Sequence, residues 1–564
     1  MSSGDPRRVV VVTGGGAGIG AAIAEELGRT GHVVVTMDPL VSLDGSESLP
    51  PAEQTTAGRI VAAGGTARAS SVSVTDRDAV RDLFGELVDE HGRLDAVINV
   101  AGITRPTTFA TGTEEDWLGV LAVHLDGYLN ILGGALPIMA AAGHGRILGV
   151  TSGSGWRAAN TGAYGCAKRA VASLTWELGG QVPPGVVVNA MSPIAVTRMV
   201  TAALGRAAGG GTPGSGSSAT GGLSLGSMPA PDRIGPVGAH LAGEGFSWCS
   251  GEVIFTNGSE VAVIDRPRLL EVVRTEDTTS LAHVLEAVTA GVLVPAEAQQ
   301  ASNGGSNPRF GPIFADPGGD GLLPASVRSC AIVADRPEVA AAVAAALDAR
   351  GVSCTTVLAG DQAGDRAGGF RGAAAALAVT VERIVPLDGV VVALAGADPA
   401  AGASAGWERV LAEHAGIVDQ IHTDAGWARA VADYADRADR PVRLVSLTDA
   451  VTAGGRSRAQ AAAQLSRSAR GATGDRVSAL AVSVETAEAG APAVGEVAAH
   501  LLCSPEAAAL SGAELVAGGD WFGLRSHPRP GGSITFGGPE IPDWFDPTLR
   551  SVTDPSGRRH EETR

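Results

Sequence analysis

The chain has 564 residues, 45% of them hydrophobic, and a formal net charge of -18. A chain of this length is too long for a single hydrophobic core, which predicts two domains. The negative net charge argues against nucleic acid or an anionic membrane as a partner. The five cysteines form no CxxC pair or dense framework, so reduced thiols and no metal site are expected. The start carries no charged-then-apolar signal, and a cytoplasmic protein without a membrane span is predicted.

A strand, a glycine turn and a helix open the chain. Residues 9–12 are a β-branched run, residues 13–20 are rich in glycine, and helical composition follows from Ala21. Glycines at these spacings let the backbone turn tightly and approach a pyrophosphate at the helix N-terminus. The context predicts a dinucleotide-binding site with contacts from Thr13, Gly14, Gly18, Ile19 and Gly20.

A second strand over residues 32–37 ends at Asp38. A carboxylate at this point can accept hydrogen bonds from ribose hydroxyls and would repel a 2′-phosphate, so NAD is favoured over NADP. The alternative is a turn or N-cap aspartate before Pro39. The enlarged loop that follows, residues 39–54, is expected to border the mouth of the cofactor site.

Tyr164 and Lys168 are the most informative pair in the sequence. Lys168 is the only lysine among 42 basic residues, and it follows one of only three tyrosines by four positions. That spacing places both side chains on one helical face, where the ammonium favours the phenolate and lowers a pKa that is ordinarily about 10. The pair is interpreted as a general acid/base, against the alternative of two side chains on a solvated face.

The glycine spacing together with Tyr164 and Lys168 resembles the short-chain dehydrogenase/reductase family, with further matches through residues 8 to about 265. Residues 94–102 resemble the strand beside the adenine ribose, residues 148–152 a strand that ends at the catalytic serine, and residues 189–199 the segment that covers the nicotinamide. The resemblance implies further cofactor contacts from Ser73, Val74, Asn99, Ala101, Gly102, Pro193 and Thr197, and from Tyr164 and Lys168 themselves.

The resemblance also implies a mechanism. Tyr164 exchanges a proton with the substrate oxygen, Ser152 holds that oxygen, and Lys168 lowers the pKa of the tyrosine and contacts the nicotinamide ribose. The expected activity is NAD-dependent interconversion of a secondary alcohol and a ketone in a small molecule, with a 3-hydroxyacyl-CoA-like or alicyclic, steroid-like substrate favoured. The competing interpretation is an NAD-binding scaffold or sensor with little catalysis.

Four positions depart from the family pattern. His124 replaces a structural Asn, which resembles the hydroxyacyl-CoA dehydrogenase branch of peroxisomal multifunctional enzymes; it is predicted to hold a water or shuttle a proton, with a satisfied buried histidine as the alternative. Ser152 precedes Tyr164 by 12 residues, one fewer than usual, so Ser154 competes for its role. Ile194 replaces a glycine, and Ser73 stands where an Asp is common.

Residues 200–230 are rich in Gly, Ser and Ala and lie where the family carries its substrate lid. Such a composition is flexible. A mobile lid for a bulky substrate and an insertion without a role are the two interpretations.

The second half repeats the first in three phrases and in the same order. Residues 387–396 echo residues 94–102, residues 407–414 match residues 117–124, and residues 511–519 parallel residues 250–258. In this copy the first strand runs into Asp335 instead of glycines. If Thr448 replaces Ser152, the tyrosine and lysine positions become Gln460 and Gln464. Neither amide titrates, so this half is expected neither to bind NAD nor to catalyse.

The predicted fold class is α/β, with two Rossmann-like doubly wound parallel-sheet domains in tandem that form a pseudo-dimer. The predicted boundaries are a catalytic domain at 1–270, a linker at 271–325, a degenerate domain at 326–530 and a tail at 531–564. In the family, subunits associate through the helices that carry the YxxxK and Trp/His segments, and a tandem chain can cover that surface internally. A further homodimer would give a pseudo-tetramer.

Overall fold

Two sheets form the framework of the chain in the computed structural model, which describes residues 7–50, 54–157, 160–201, 228–274, 278–289, 326–358, 369–384, 386–395, 406–486, 490–519 and 521–553. Within these ranges the first sheet has nine strands and the second has eight. Strands and helices alternate along the chain, and the pairing is mainly parallel. The predicted α/β class with two doubly wound sheets in tandem is confirmed.

The first half supplies strands that are short, rich in valine, isoleucine and alanine and, except at Thr66–Ser70, largely buried, as strands between two layers of helices require. They are β1 (Val9–Thr13), β2 (Val33–Met37), β3 (Thr66–Ser70), β4 (Ala96–Asn99), β5 (Gly145–Val150), β6 (Val186–Pro193), β7 (Val253–Thr256) and β8 (Glu260–Asp265). The helices are α1 (Gly18–Arg29), α2 (Thr56–Ala62), α3 (Arg77–His91), α4 (Glu114–Leu121), α5 (Gly127–Ala142), α6 (Gly153–Trp156), α7 (Gly162–Leu178) and α8 (Gly235–Leu241).

The second half repeats this alternation. Its strands are β9 (Leu269–Arg274), β10 (Ser329–Ala334), β11 (Ser353–Leu358), β12 (Gly389–Leu394), β13 (Val442–Asp449), β14 (Val477–Val484), β15 (Glu514–Ala517), β16 (Trp521–Arg525) and β17 (Arg529–Thr535). Its helices are α9 (Thr278–Thr289), α10 (Pro337–Asp348), α11 (Phe370–Arg383), α12 (Gly406–Glu413), α13 (Ile417–Arg437), α14 (Ala453–Thr473), α15 (Ala491–Cys503) and α16 (Phe545–Thr553). The spatial order from β11 to β16 reproduces that from β2 to β8.

The two halves exchange their last strands. β9 follows β8 in the chain but pairs antiparallel with β16 of the second sheet. β17 follows β16 but pairs antiparallel with β8 of the first sheet. The two connections, residues 266–268 and 526–528, have equal length, and where they meet, the Ser526 amide donates to the Arg268 carbonyl at 2.9 Å. Each half therefore completes the sheet of the other.

Helices on one side of the two sheets form the interface between the halves. α7 packs along α14, and Arg456 of α14 binds both carboxylate oxygens of Glu177 at 2.7 Å. Trp117 and Phe370 meet edge to face, with 6.0 Å between ring centroids. One hydrophobic cluster contains buried side chains of both halves, so the interface is a shared core.

The sequence predictions for domain boundaries stay predictions, but β9 and β17 were not expected as strands. The candidate lid, residues 200–230, lies mostly outside the described residues, as does the predicted linker 271–325 from residue 290 onward, whereas β9 and α9 lie in its first part. Among the described helices one stretch, Glu114–Ala142, is long and apolar enough to cross a membrane by length and composition. More than half of its most apolar window is buried inside the protein, as in the core helix of a globular domain.

Candidate active site

The helix α7 carries Tyr164 and Lys168, and a neighbouring loop fixes its first turn. The Ala163 amide donates to the Thr107 hydroxyl at 3.0 Å, which satisfies one of the free amides at the helix start. Gly162 has a φ of +46°, and a Cβ there would lie 2.6 Å from the Thr107 carbonyl carbon. Glycine is therefore required for this docking, which sets where the helix begins.

Lys168 is almost fully buried, with 3% of its surface exposed. Its Nζ donates to the carbonyl oxygen of Val150, at the end of β5, at 2.5 Å. The same Nζ lies 5.8 Å from the centre of the Tyr164 ring. Burial lowers the pKa of Lys168 to about 7, because the charged form loses its hydration.

Tyr164 is half-buried, and burial raises the pKa of its hydroxyl. The opposing cause is a hydrogen-bond interaction with Ser152, which favours the phenolate and lowers the pKa. Ser152 is the N-cap of α6 and accepts the Ser154 amide at 3.2 Å. The sequence predicts that Lys168 lowers the pKa of Tyr164. In this geometry burial outweighs any such effect, because the amine is itself desolvated and its own pKa is lowered.

His124 occupies a π-helical turn, Ala122–Asp126, between α4 and α5. Such turns interrupt the regular helix and re-aim one side chain. The His124 ring meets the Tyr164 ring edge to face at 5.0 Å. Its Nε2 contacts the Ile103 carbonyl oxygen at 2.7 Å, and its Nδ1 is buried with no hydrogen-bond partner among the described residues. Burial, together with the charge of Lys168, holds the pKa of His124 well below its ordinary value, which favours a neutral ring.

The glycine turn has the shape that a pyrophosphate requires. Gly14 and Gly18 have φ values of +63° and +57°, and a Cβ at Gly14 would lie 2.8 Å from the Ala101 amide nitrogen. α1 starts at Gly18, and no side chain caps its first amides. Unpaired amides and the positive end of the helix dipole together suit an anion. The turn therefore fits a dinucleotide phosphate.

Two hydrogen bonds of the Thr13 hydroxyl join the ends of β1 and β4 next to this turn. The Thr13 hydroxyl donates to the Asn99 side-chain oxygen at 2.8 Å and accepts the Ala101 amide at 3.1 Å. Asn99 is buried, with 5% exposure. These bonds fix Ala101 against the glycine turn, which places the segment 99–102 beside the predicted cofactor path.

Asp38 ends β2 next to the glycine turn. Its carboxylate accepts the Gly16 amide at 2.9 Å and the Leu40 amide at 2.8 Å. Beyond it, residues 39–50 fold back onto the segment after β4: the Thr104 amide donates to the Leu43 carbonyl, and the Arg105 guanidinium to the Asp44 carbonyl, both at 2.8 Å. A fixed negative charge thus lies where the sequence predicts the ribose.

The remaining predicted cofactor contacts surround the same edge of the sheet. A Cβ at Gly18 would lie 3.8 Å from the Thr197 side chain, and Pro193 ends β6. A Cβ at Gly102 would lie 2.4 Å from His124, so Gly102 links the β4 loop to the catalytic candidates. Ser73 bonds locally to Thr75 at 2.8 Å. Three predicted contacts remain. Ile19 packs against the hydrophobic cluster beside β1, and Val74 is buried. A Cβ at Gly20 would lie 2.3 Å from the Gly14 carbonyl oxygen.

In the second half, the described residues at the end of β10 are joined by side-chain contacts instead of a glycine turn. The Asp335 carboxylate follows β10 and accepts the Ala395 amide at 2.8 Å. Arg458, with 2% exposure, donates to the Ala395 carbonyl at 2.7 Å and pairs with both carboxylate oxygens of Asp424. His414 bonds the Ser457 hydroxyl at 2.9 Å. Side chains of Asp335 and Arg458 thus bond both backbone groups of Ala395 at this strand end.

Gln460 and Gln464 lie on α14, the helix that packs against α7. Both are buried and both bond Arg169, the residue after Lys168. These contacts were not predicted, and neither were the Thr107 cap and the Val150 carbonyl. The local sequence does not predict these contacts. Any residue can supply a backbone carbonyl, and an arginine in a helix is ordinarily expected at the surface.

Comparison with known proteins adds an independent observation. A family model described as short chain dehydrogenase matches residues 8–207. The short-chain reductase protein NovJ of Streptomyces niveus is 32% identical over 254 residues, which are 44% of this chain and 92% of that protein. The peroxisomal hydratase-dehydrogenase-epimerase of Neurospora crassa is 32% identical over 197 residues, 34% of this chain and 21% of that protein.

A solved structure resembles nearly the whole chain. The N-domain of a bacterial malonyl-CoA reductase, solved with NADP, is 18% identical and has a TM-score of 0.63. The match covers 88% of this chain and 95% of that chain. Because the coverage includes both halves, the tandem arrangement of two sheets has a counterpart among solved structures.

Proposed function

We propose that this chain, which belongs to the short-chain dehydrogenase/reductase family, is an NAD-dependent oxidoreductase that interconverts a secondary alcohol and a ketone at one site in its first half. The observation that carries the proposal is the assembly of Ser152, Tyr164, Lys168 and His124 next to a glycine turn that fits a dinucleotide. A bound nicotinamide supplies hydride exchange. The protein supplies position and proton transfer.

Tyr164 is proposed as the group that exchanges a proton with the substrate oxygen. Ser152 opposes the effect of burial on the pKa of this hydroxyl, which supports the role. Ser152 is proposed as the hydroxyl that holds the same oxygen, with Ser154 as the alternative. Lys168 has a pKa of about 7, so near neutral pH it can both give and take a proton, which is the condition for efficient acid/base catalysis. Contact of Lys168 with the nicotinamide ribose stays a prediction of the family resemblance.

His124 is proposed to extend this proton path. If Nε2 carries the hydrogen donated to the Ile103 carbonyl, then Nδ1 is a buried acceptor that can hold a water. The alternative from the sequence was a satisfied buried histidine. The unpartnered Nδ1 supports the functional interpretation.

NAD rather than NADP is proposed as the cofactor. The Asp38 carboxylate, fixed by two amides beside the glycine turn, would repel a 2′-phosphate and can still accept from ribose hydroxyls. For the substrate, the similarity to a peroxisomal hydratase-dehydrogenase-epimerase favours a 3-hydroxyacyl-CoA-like compound; an alicyclic, steroid-like ketone is the alternative. A cytoplasmic location and an intramolecular pseudo-dimer, with or without a further homodimer, complete the proposal.

An absorbance assay that follows NADH or NADPH consumption directly tests this function. Purified protein is screened with NADH and NADPH over 3-oxoacyl thioesters and alicyclic ketones, together with Tyr164→Phe. We expect turnover of at least one ketone, faster with NADH, and a fall in kcat on the order of 10²-fold or more in the variant, far larger than any change in its Kd for NADH. Tyr434→Phe removes a hydroxyl that only accepts the Leu387 amide in the second half, and should leave turnover unchanged. Tight NADH binding without turnover of any substrate would instead favour the scaffold or sensor.

A further inference from the structure

The turn that begins at Ser152 and contains α6 ends in carbonyl groups that accept hydrogen bonds from the second half. α6 has only four residues, Gly153–Trp156, so the carbonyls at its C-terminal end have no partner within the helix. The Gln464 side-chain amide donates to the Ser154 carbonyl at 2.9 Å and to the Arg157 carbonyl at 3.0 Å. Arg467 donates to the Trp156 carbonyl at 3.1 Å. Three carbonyls of this turn therefore bind side chains of α14.

The same turn packs directly on α7, the helix that carries Tyr164 and Lys168. A Cβ at Gly155 would lie 2.8 Å from the carbonyl carbon of Lys168, so the two backbones are in contact. The Thr151 hydroxyl also donates to the Lys168 carbonyl at 2.6 Å. A shift of the turn therefore changes the position of Ser152 relative to Tyr164 and Lys168.

A buried polar network holds α14 in place on α7. Arg169 has no exposed surface and forms an ion pair with Glu514. Its Nε donates to Gln460 at 2.9 Å, its Nη1 donates to Gln464 at 3.2 Å, and Nη1 also lies 3.0 Å from His527 Nδ1. Breaking a buried charge network is costly, so the side-chain oxygen of Gln464 has a fixed partner and its two N–H groups point at the turn.

We infer that Gln464, assisted by Arg467, is a positioning residue for catalysis: the second half holds the Ser152 turn in register with Tyr164 and Lys168. This inference rests on the proposed function. It gives the second half a defined task, performed by the residue that the sequence aligns with Lys168. A displacement of about 1 Å at a catalytic group can lower turnover on the order of 10²-fold.

Three variants separate positioning from general support of the interface. Gln464→Glu keeps the side-chain size and an acceptor for Arg169 and Arg467 but removes both N–H donors, and Gln464→Leu removes all four hydrogen bonds. Gln460→Leu is the matched control, because Gln460 lies one turn away on α14 and bonds Arg169 and Glu514 without touching the turn. We expect kcat to fall roughly tenfold to 10²-fold in both Gln464 variants, with the Kd for NADH within about twofold of wild type. In Gln460→Leu, which weakens the Arg169 network but leaves the donors to the turn in place, kcat should fall clearly less than in either Gln464 variant.

Amide hydrogen exchange provides a readout that does not depend on turnover. The amides of Gly155 and Arg157 bond within the turn, to the Ser152 and Gly153 carbonyls at 2.8 Å. Peptides covering residues 151–157 should exchange at least severalfold faster in both Gln464 variants than in wild type or Gln460→Leu. If wild-type protein turns over no substrate, the proposed function fails while this measurement still tests the positioning contact. Wild-type kcat and exchange in Gln464→Glu, or equal losses in Gln460→Leu and Gln464→Leu, would overturn the inference.

Discussion

At the scale of single residues, the candidate site is a group of side chains whose charge is controlled by burial. Burial lowers the pKa of Lys168 to about 7, lowers that of His124 and raises that of Tyr164. All three shifts favour the neutral forms. A proton that moves between two of these neutral groups leaves an ion pair, and the attraction between its charges offsets part of their desolvation cost.

Lys168 gives a testable pH dependence of stability. An unfolded lysine has a pKa of about 10.4, so between about pH 7 and about pH 10 the unfolded chain binds a proton that the folded chain does not. The contribution of this group to the free energy of unfolding therefore rises with pH across this window. Lys168→Met lacks the group. We expect the difference between wild type and variant to shift in favour of wild type by at most about 4 kcal/mol.

Urea unfolding at several pH values, without added nucleotide, measures this difference. Other groups that titrate in the window, including the cysteines, are present in both proteins and cancel. Parallel stability curves for wild type and Lys168→Met would show that the folded lysine keeps an ordinary pKa.

At the scale of elements, the π turn and the end of β4 form a single unit. A Cβ at Gly102 would lie 2.4 Å from His124, so Gly102→Ala should push the imidazole away from Tyr164. We expect kcat to fall roughly tenfold or more while secondary structure is kept. Gly133→Ala on α5 is the matched control, because no atom lies within 4 Å of a Cβ there and alanine favours a helix. Steady-state kinetics and circular dichroism check both variants; an unaffected Gly102→Ala enzyme would remove His124 from the proton path.

Local elements could be predicted from the sequence, and contacts between distant elements could not. The glycine turn, Asp38 and the Tyr164–Lys168 spacing are short patterns whose geometry follows from neighbouring residues. β17 contains Pro530 and two glycines, which are unfavourable inside a strand, so it reads as a tail. Arg169 has the sequence context of an ordinary surface arginine on a helix, because Glu514, its ion-pair partner, lies 345 positions away in the chain. Only the fold brings such residues together.

At the scale of the whole molecule, strand exchange makes each half depend on the other. β17 covers the edge of β8, and α16 buries Phe545 and Leu549 in the core of the first half, where the Phe545 ring meets the His240 ring edge to face at 5.3 Å. An edge left open exposes unpaired backbone groups that favour aggregation. The first half thus contains every candidate catalytic residue but not every strand of its own sheet.

Truncation tests this dependence without touching the candidate site. A chain ending at residue 528 lacks β17 and α16 but keeps Gln464, Glu514 and His527, whereas a chain ending at residue 553 keeps both elements and is the control. Fully burying a large apolar side chain contributes about 1.5–3 kcal/mol, and the shorter chain loses Ile534, Phe545 and Leu549 from this core. We expect its melting temperature to fall by roughly 10 °C or more, with loss of turnover and increased aggregation. A monodisperse 528-residue chain with the melting temperature and activity of the control would show that the first half is complete without the exchanged strand.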